Sequence, residues 1–163
     1  MQHQLVEGDR VRVVGVEGDY RQTTHGFVHR GCLGRRNPLA GVEAPWVFAL
    51  RAAAFVGAPY LPGGTTPHGT DCSGVVWGVF RGSGLVLPRW VAGLQHAGLA
   101  VPADTRQPGD LVLFLNRNSN VRHVGVLVHD DQVLHCTMTN GGAVLEPFTA
   151  FTNVASVRRV VAL

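Results

Sequence analysis

Apolar and polar positions change their period along this chain, and the change marks where helices give way to strands. Val11 to Val16 is a short β-rich run, and Gly18-Asp19-Tyr20 comes after it as a turn signal. Thr24 to Val28 reads as a second turn leading into a strand. From Val42 to Val56, alanine, aromatic and aliphatic residues recur at helical spacing. That pattern predicts a helix ending at Gly57-Ala58-Pro59. Tyr60 to Thr70, with Gly63-Gly64, Pro62 and Pro67, reads as an irregular loop. Asp71-Cys72-Ser73-Gly74 then opens the apolar stretch Val75 to Phe80. A helix begins there, because Asp and Ser favour helix N-termini. Pro88 starts a further short helix through about Ala97. After Pro108-Gly109 the pattern predicts strands at 110–115, 122–129, 132–138 and 143–148, and a last one over 157–161.

Helices that precede an antiparallel meander make an α+β layout, not an alternating βαβ one. Residues 1–36 form a small β unit that is too short to be stable alone and should pack on the rest of the chain. The second unit, 37–163, carries the core.

Composition adds mainly exclusions. The chain has 163 residues, 45% of them hydrophobic and 15% charged, which predicts a globular fold with a real core. All 14 basic residues are arginine and the formal net charge is +3. The arginines are scattered, so nothing points to nucleic acid. A mildly positive protein would still attract a substrate with several carboxylates. No run approaches the ~18 apolar residues that span a bilayer. The first residues lack a basic segment leading into an apolar one, which predicts a cytoplasmic protein, or an extracytoplasmic one if the chain is a processed form.

Cys32, Cys72 and Cys136 are far apart and odd in number, so at least one free thiol is expected. Only Cys72 sits at a predicted helix start, where free amides and the dipole favour a thiolate. It could equally be a small buried hydrophobe. Among eight histidines, His3, His25, His29, His68 and His96 fall in loops, the β unit or a helix flank and read as surface residues. His123 opens the strand Val124-Gly125-Val126-Leu127-Val128, and His135 lies in Val133-Leu134-His135-Cys136. Each could be a catalytic base or a satisfied core histidine. Alternation gives a test. A two-residue turn at Asp130-Asp131 would send His123 and His135 to opposite faces. A three-residue loop over 128–130 would set them directly opposite each other, with Cβ atoms roughly 5 Å apart. A zinc site built from Cys72, His123, His135 and Cys136 is disfavoured, because adjacent His135 and Cys136 face opposite ways. No metal or other cofactor is expected.

Several segments together resemble the NlpC-type cell-wall peptidases. They are Gly57-Ala58-Pro59-Tyr60-Leu61-Pro62-Gly63-Gly64, Asp71-Cys72-Ser73-Gly74, Leu87-Pro88-Arg89, Pro108-Gly109-Asp110-Leu111-Val112-Leu113-Phe114 and His123-Val124-Gly125-Val126. The resemblance covers about residues 42–148. It implies a papain-like α+β fold with helices packed on an antiparallel sheet, and a Cys-His-polar triad at Cys72, His123 and His135. It also implies that residues 1–36 are a shortened bacterial SH3-like module. The substrate would be a murein peptide, cut between γ-D-glutamate and a diamino acid. Asp71, with Ser73 helping, would hold the free amine of an N-terminal L-alanine, and Tyr60 would line the site. The same triad could instead serve an acyltransferase or an amidase, and a non-enzymatic wall-binding module is a further alternative. Pro62 and Trp90-Val91 depart from the usual residues at those places. The sequence does not fix the oligomeric state.

Overall fold

The computed structural model describes residues 11–24, 26–30, 50–81, 85 and 87–160. Cys32, His3, His25 and most of the helix expected over 42–56 lie outside these; residues 50–53 are helical.

Where the small β unit is expected, β1 (Val13–Glu17), β2 (Tyr20–Thr23) and β3 (Gly26–His29) form a three-stranded antiparallel sheet. The loop before Cys72 is folded by a two-residue ladder, β4 (Thr65–Thr66) against β5 (Gly69–Thr70). Helix α1 spans Cys72–Arg81, and a single turn, α2, spans Val91–Leu94. The later strands are β6 (Leu99–Val101), β7 (Leu111–Leu115), β8 (Val121–Leu127), β9 (Gln132–Thr137), β10 (Gly142–Pro147) and β11 (Val154–Arg159).

These six make one antiparallel sheet in the order β10-β9-β8-β7-β11-β6. Two features depart from a simple meander. The chain returns after β10 to insert β11 beside β7, and Leu99–Val101, not expected as a strand, pairs along its far side. A buried carboxylate ties this return in place. Asp110 accepts the Gln107 N–H at 2.8 Å and is forked by Arg159 of β11 at 2.9 and 2.8 Å. The Gly109-Asp110 motif therefore serves the fold: it shapes the turn into β7 and anchors β11.

Alternation divides the sheet between two cores. Leu111, Leu113, Val124, Val126, Leu134 and Cys136 face α1, where Val75, Val76, Val79 and Phe80 are fully buried. Three of those helix residues are β-branched, which weakens helix propensity, so tertiary packing holds α1 together. Val112, Phe114, Leu127 and Val133 face the opposite way and are covered by Phe148, Phe151 and Val154. The sheet thus has no solvent face at its centre. The first core fixes the start of α1 against β8, which places Cys72.

Candidate active site

The Asp-Cys-Ser-Gly segment folds as a cap. Asp71 Oδ1 accepts the Gly74 N–H at 2.7 Å and the Ser73 hydroxyl at 3.2 Å, closing the first turn of α1. Its Oδ2 accepts the Gly63 N–H at 2.7 Å, which pins the preceding loop to the helix. Arg89 completes the set: its fork donates to Oδ1 at 3.0 Å and Oδ2 at 2.9 Å, and further to Ser73 Oγ at 2.8 Å and the Gly64 carbonyl at 3.1 Å. Burial alone would raise the Asp71 pKa. The Arg89 hydrogen bonds, the Gly63 and Gly74 N–H groups and the Arg89 charge outweigh it, and the carboxyl is held below its ordinary value. Gly74 is required here because a Cβ would overlap the Gly64 carbonyl oxygen.

This arrangement adds a structural role to those expected of Asp71 and Ser73. Both are buried, and both are already satisfied by groups of the protein. A substrate ammonium would meet an Asp71–Arg89 ion pair, not a free carboxylate. Arg89 is the group that sequence reasoning passed over. Leu87-Pro88-Arg89 is recognisable as a motif, but nothing local says that its guanidinium reaches back to Asp71.

Cys72 is partly exposed at the start of α1 and is a free thiol. Burial and the neighbouring Asp71 charge push its pKa up; the Ser73 and Val124 N–H groups and Arg89 pull the other way and do not prevail. The helix terminus therefore does not by itself lower the thiol pKa, contrary to the expectation from its position alone. Cys136 is buried behind it, its thiol directed at the Thr70 carbonyl at 3.3 Å, and burial pushes its pKa up to about 11. Tyr60 packs against the same cluster. Burial raises its pKa, and the charges of Cys72, Asp71 and Cys136 add to it.

The two histidines meet. His123 Nε2 and His135 Nδ1 are 2.9 Å apart, with the rings close to perpendicular. They share a sheet face because the loop between β8 and β9 has an odd number of residues. That loop is His129–Asp131, not 128–130, with Asp130 and Asp131 both at positive φ. Asp tolerates that conformation better than most residues. The shift moves His135 opposite Gly125, not His123. The imidazoles are thus diagonal neighbours, and the glycine matters: a Cβ at 125 would come within 3.2 Å of His135 Cβ. Phe114 and Phe151 wall the pair, with ring centroids 5.3 Å from His123 and His135 respectively. Burial, and then the neighbouring His135, push the His123 pKa down to about 4.

The β8–β9 ladder ends at Gly125–His135, whereas β9 continues beside β10 to Thr137. Beyond that point β8 is not paired to β9, and the Val124 N–H faces the Cys72 sulfur instead. The thiol on the α1 side thus approaches the backbone of β8 at this gap, one residue from His123. Sequence reading did not find Glu146, whose carboxylate lies 3.6 Å from His135 Nε2. It carries no local motif and is brought there only by the β9–β10 register.

Comparison with known proteins agrees with this architecture. A protein of Bacillus cereus from the NlpC/P60 family superposes with a TM-score of 0.75 at 21% identity, covering 94% of this chain and 54% of that one. The Bacillus subtilis γ-D-glutamyl-L-lysine dipeptidyl-peptidase is 37% identical over 89 residues, which are 53% of this chain and 30% of that protein. The murein DD-endopeptidase MepS/murein LD-carboxypeptidase of Escherichia coli K12 is 40% identical over 90 residues, 55% of this chain and 47% of that protein. The match thus spans less than half the length of these curated relatives. Residues 57–156, which hold the thiol, the paired imidazoles and all of the six-stranded sheet but the end of β11, match the NlpC/P60 family, and the chain belongs to it.

Proposed function

We propose that this chain is a cysteine peptidase that hydrolyses murein peptides, with Cys72 as nucleophile, His123 as base and His135 orienting it. The observation that carries the reading is the 2.9 Å contact between His123 Nε2 and His135 Nδ1. It occupies Nε2 of His123, and with Nε2–H as the donor Nδ1 is left to accept the thiol proton. The raised Cys72 and lowered His123 pKa values mean that the resting pair is neutral. His123 takes the proton as the sulfur attacks the amide carbonyl, then passes it to the leaving amine. Water, deprotonated by His123, releases the acyl-enzyme. Backbone N–H groups at the start of α1 suit the oxyanion.

The bond we assign is that between γ-D-glutamate and a diamino acid, in peptides with a free N-terminal L-alanine. The name of the 37% identical relative supports it. A second reading, cleavage of the D,D cross-link, is favoured by the commitment of Asp71 to Arg89, because a cross-linked substrate needs no amine clamp. The name of the 40% identical relative agrees with that alternative. One assay separates them. Incubation with L-Ala-γ-D-Glu-diaminopimelate, its N-acetylated form and a cross-linked dimer is expected to release diaminopimelate from the first alone. Equal cleavage of the acetylated peptide would remove the amine clamp, and cleavage of the dimer alone would establish the second reading.

The pH dependence is set by the base. Protonated His123 cannot accept the thiol proton, so activity is lost as pH falls through its pKa. That value is about 4 instead of the ordinary 6.5. The acid limb of kcat/KM is therefore expected near pH 4, with no loss around neutrality. A limb centred at 6.5 would show that His123 is not held neutral by burial.

A further inference from the structure

His135 is 4% exposed, and its Nε2 is enclosed without a hydrogen-bond partner. A polar atom so placed is costly unless something meets it. The group that faces it is Glu146, with Oε2 at 3.6 Å. On β10, Val144 pairs across from His135 and Glu146 lies two residues on, so both side chains share one face. Asn140 holds the other carboxylate oxygen, donating to Oε1 at 3.2 Å. Among the described residues, the rings of His123 from β8, Phe114 from β7 and Phe151 from the covering segment also pack against His135.

We propose that Glu146 is a positioning residue that holds His135 as its Nε2–H tautomer and thereby keeps His123 able to act as a base. The proposal deepens the peptidase reading and rests on it. The His123–His135 contact can be made in two ways. If His123 Nε2–H donates to His135 Nδ1, then His123 Nδ1 bears a lone pair for the Cys72 proton, and His135 carries its own proton on Nε2, towards Glu146. If His135 Nδ1–H donates instead, His123 carries its proton on Nδ1 and points a donor at the thiol, where it cannot serve as a base. In that second arrangement the lone pair of His135 Nε2 is set against a carboxylate, which Glu146 disfavours. The 3.6 Å separation is longer than a hydrogen bond, and closing it needs a movement of only ~0.6 Å by a carboxylate that is 39% exposed. During attack the Cys72 proton moves to His123 Nδ1 and leaves a thiolate that bonds to the carbonyl carbon. His123 becomes an imidazolium, His135 keeps its proton, and the Glu146 charge offsets the new positive charge through the ring between them.

The test uses Glu146→Leu and Glu146→Gln beside the unaltered protein. Ring-nitrogen NMR, which needs no substrate, reads the His135 tautomer directly. Murein-peptide hydrolysis reads kcat and KM, and thermal melting reads stability. The expected result is Nε2–H in the unaltered protein and mixed tautomers in Glu146→Leu. That variant should lose kcat by roughly tenfold at unchanged KM and Tm. This is far less than the loss seen when a buried orienting carboxylate is neutralised, because Glu146 is half-exposed and one ring further away. Glu146→Gln, whose amide oxygen can still accept, should keep the tautomer and fall between the two in kcat. A proton on His135 Nδ1 in the unaltered protein, or an unchanged tautomer and kcat in Glu146→Leu, overturns the proposal. So does a kcat loss that merely tracks a fall in Tm. If the unaltered protein cuts no murein peptide, the peptidase reading fails, and the NMR result still decides whether Glu146 sets the tautomer.

Discussion

Cys72→Ala is expected to lose hydrolysis by roughly 10⁴-fold or more, with the fold intact. The sulfur is the only protein atom in the proposed mechanism that bonds to the substrate carbonyl carbon, and alanine offers nothing in its place. Stability should barely change. Cys72 lies at the partly exposed rim of the core, and Asp71, not Cys72, caps α1. His123→Ala should cost about as much, since a thiol whose pKa is raised by burial is not a nucleophile near neutrality without a base. The double variant should be no worse than either single one, because nucleophile and base act as a unit. Product release measured by chromatography, with a melting curve for each variant, checks all three. Substantial residual hydrolysis by Cys72→Ala, or a double variant that falls by the product of the two losses, would mean that the two residues do not share one step.

The second large effect falls on stability. Arg89→Met would leave the Asp71 carboxylate buried without its guanidinium partner. Both side chains are well shielded, 19% and 11% exposed, so solvent cannot replace the lost fork. Removing one partner of such a pair costs roughly 3 kcal/mol, which lowers Tm by about 6–12 °C in a chain of this size. Asp71→Asn in the same background should recover part of the loss, since it removes the stranded charge. The sign of the pKa shift sets the pH dependence. The folded Asp71 pKa lies below its ordinary value, so its contribution is fully present above the ordinary carboxylate pKa. That contribution is lost as pH falls through the folded pKa. Arg89→Met should flatten this acid-side loss. A Tm within about 2 °C of the unaltered protein, by an order-of-magnitude reading of the cost of a broken buried pair, would show that the Gly63 and Gly74 amides suffice to hold the carboxylate.

Short-range pattern was enough for the elements that carry the chemistry. An Asp three residues before Gly74 caps a helix through contacts within one turn, so the position of Cys72 at the start of α1 is readable from Asp71-Cys72-Ser73-Gly74 alone. Alternation along a strand is equally local. It separates His135 from Cys136, and Cys136 does face α1 while His135 sits against Phe114 and Phe151 on the other face. Register is different. Whether His123 and His135 share a face depends on one residue in the loop between β8 and β9. That loop is settled by the left-handed conformations of Asp130 and Asp131 together with the burial of two whole strands.

The order of the elements, the helix start that presents Cys72 and the candidate pair His123 and His135 are all legible in the chain of residues. Local propensities and side-chain periods depend on neighbours within a few positions, and those are written in the chain. Folding in three dimensions settled that Arg89 reaches back to Asp71 and that His135 lies across from Gly125. It also settled that Glu146 stands behind His135, that β11 inserts beside β7, and that burial raises the pKa of the Cys72 thiol. Those outcomes depend on ladder register and on the summed desolvation by distant elements, and no short stretch of sequence carries either quantity.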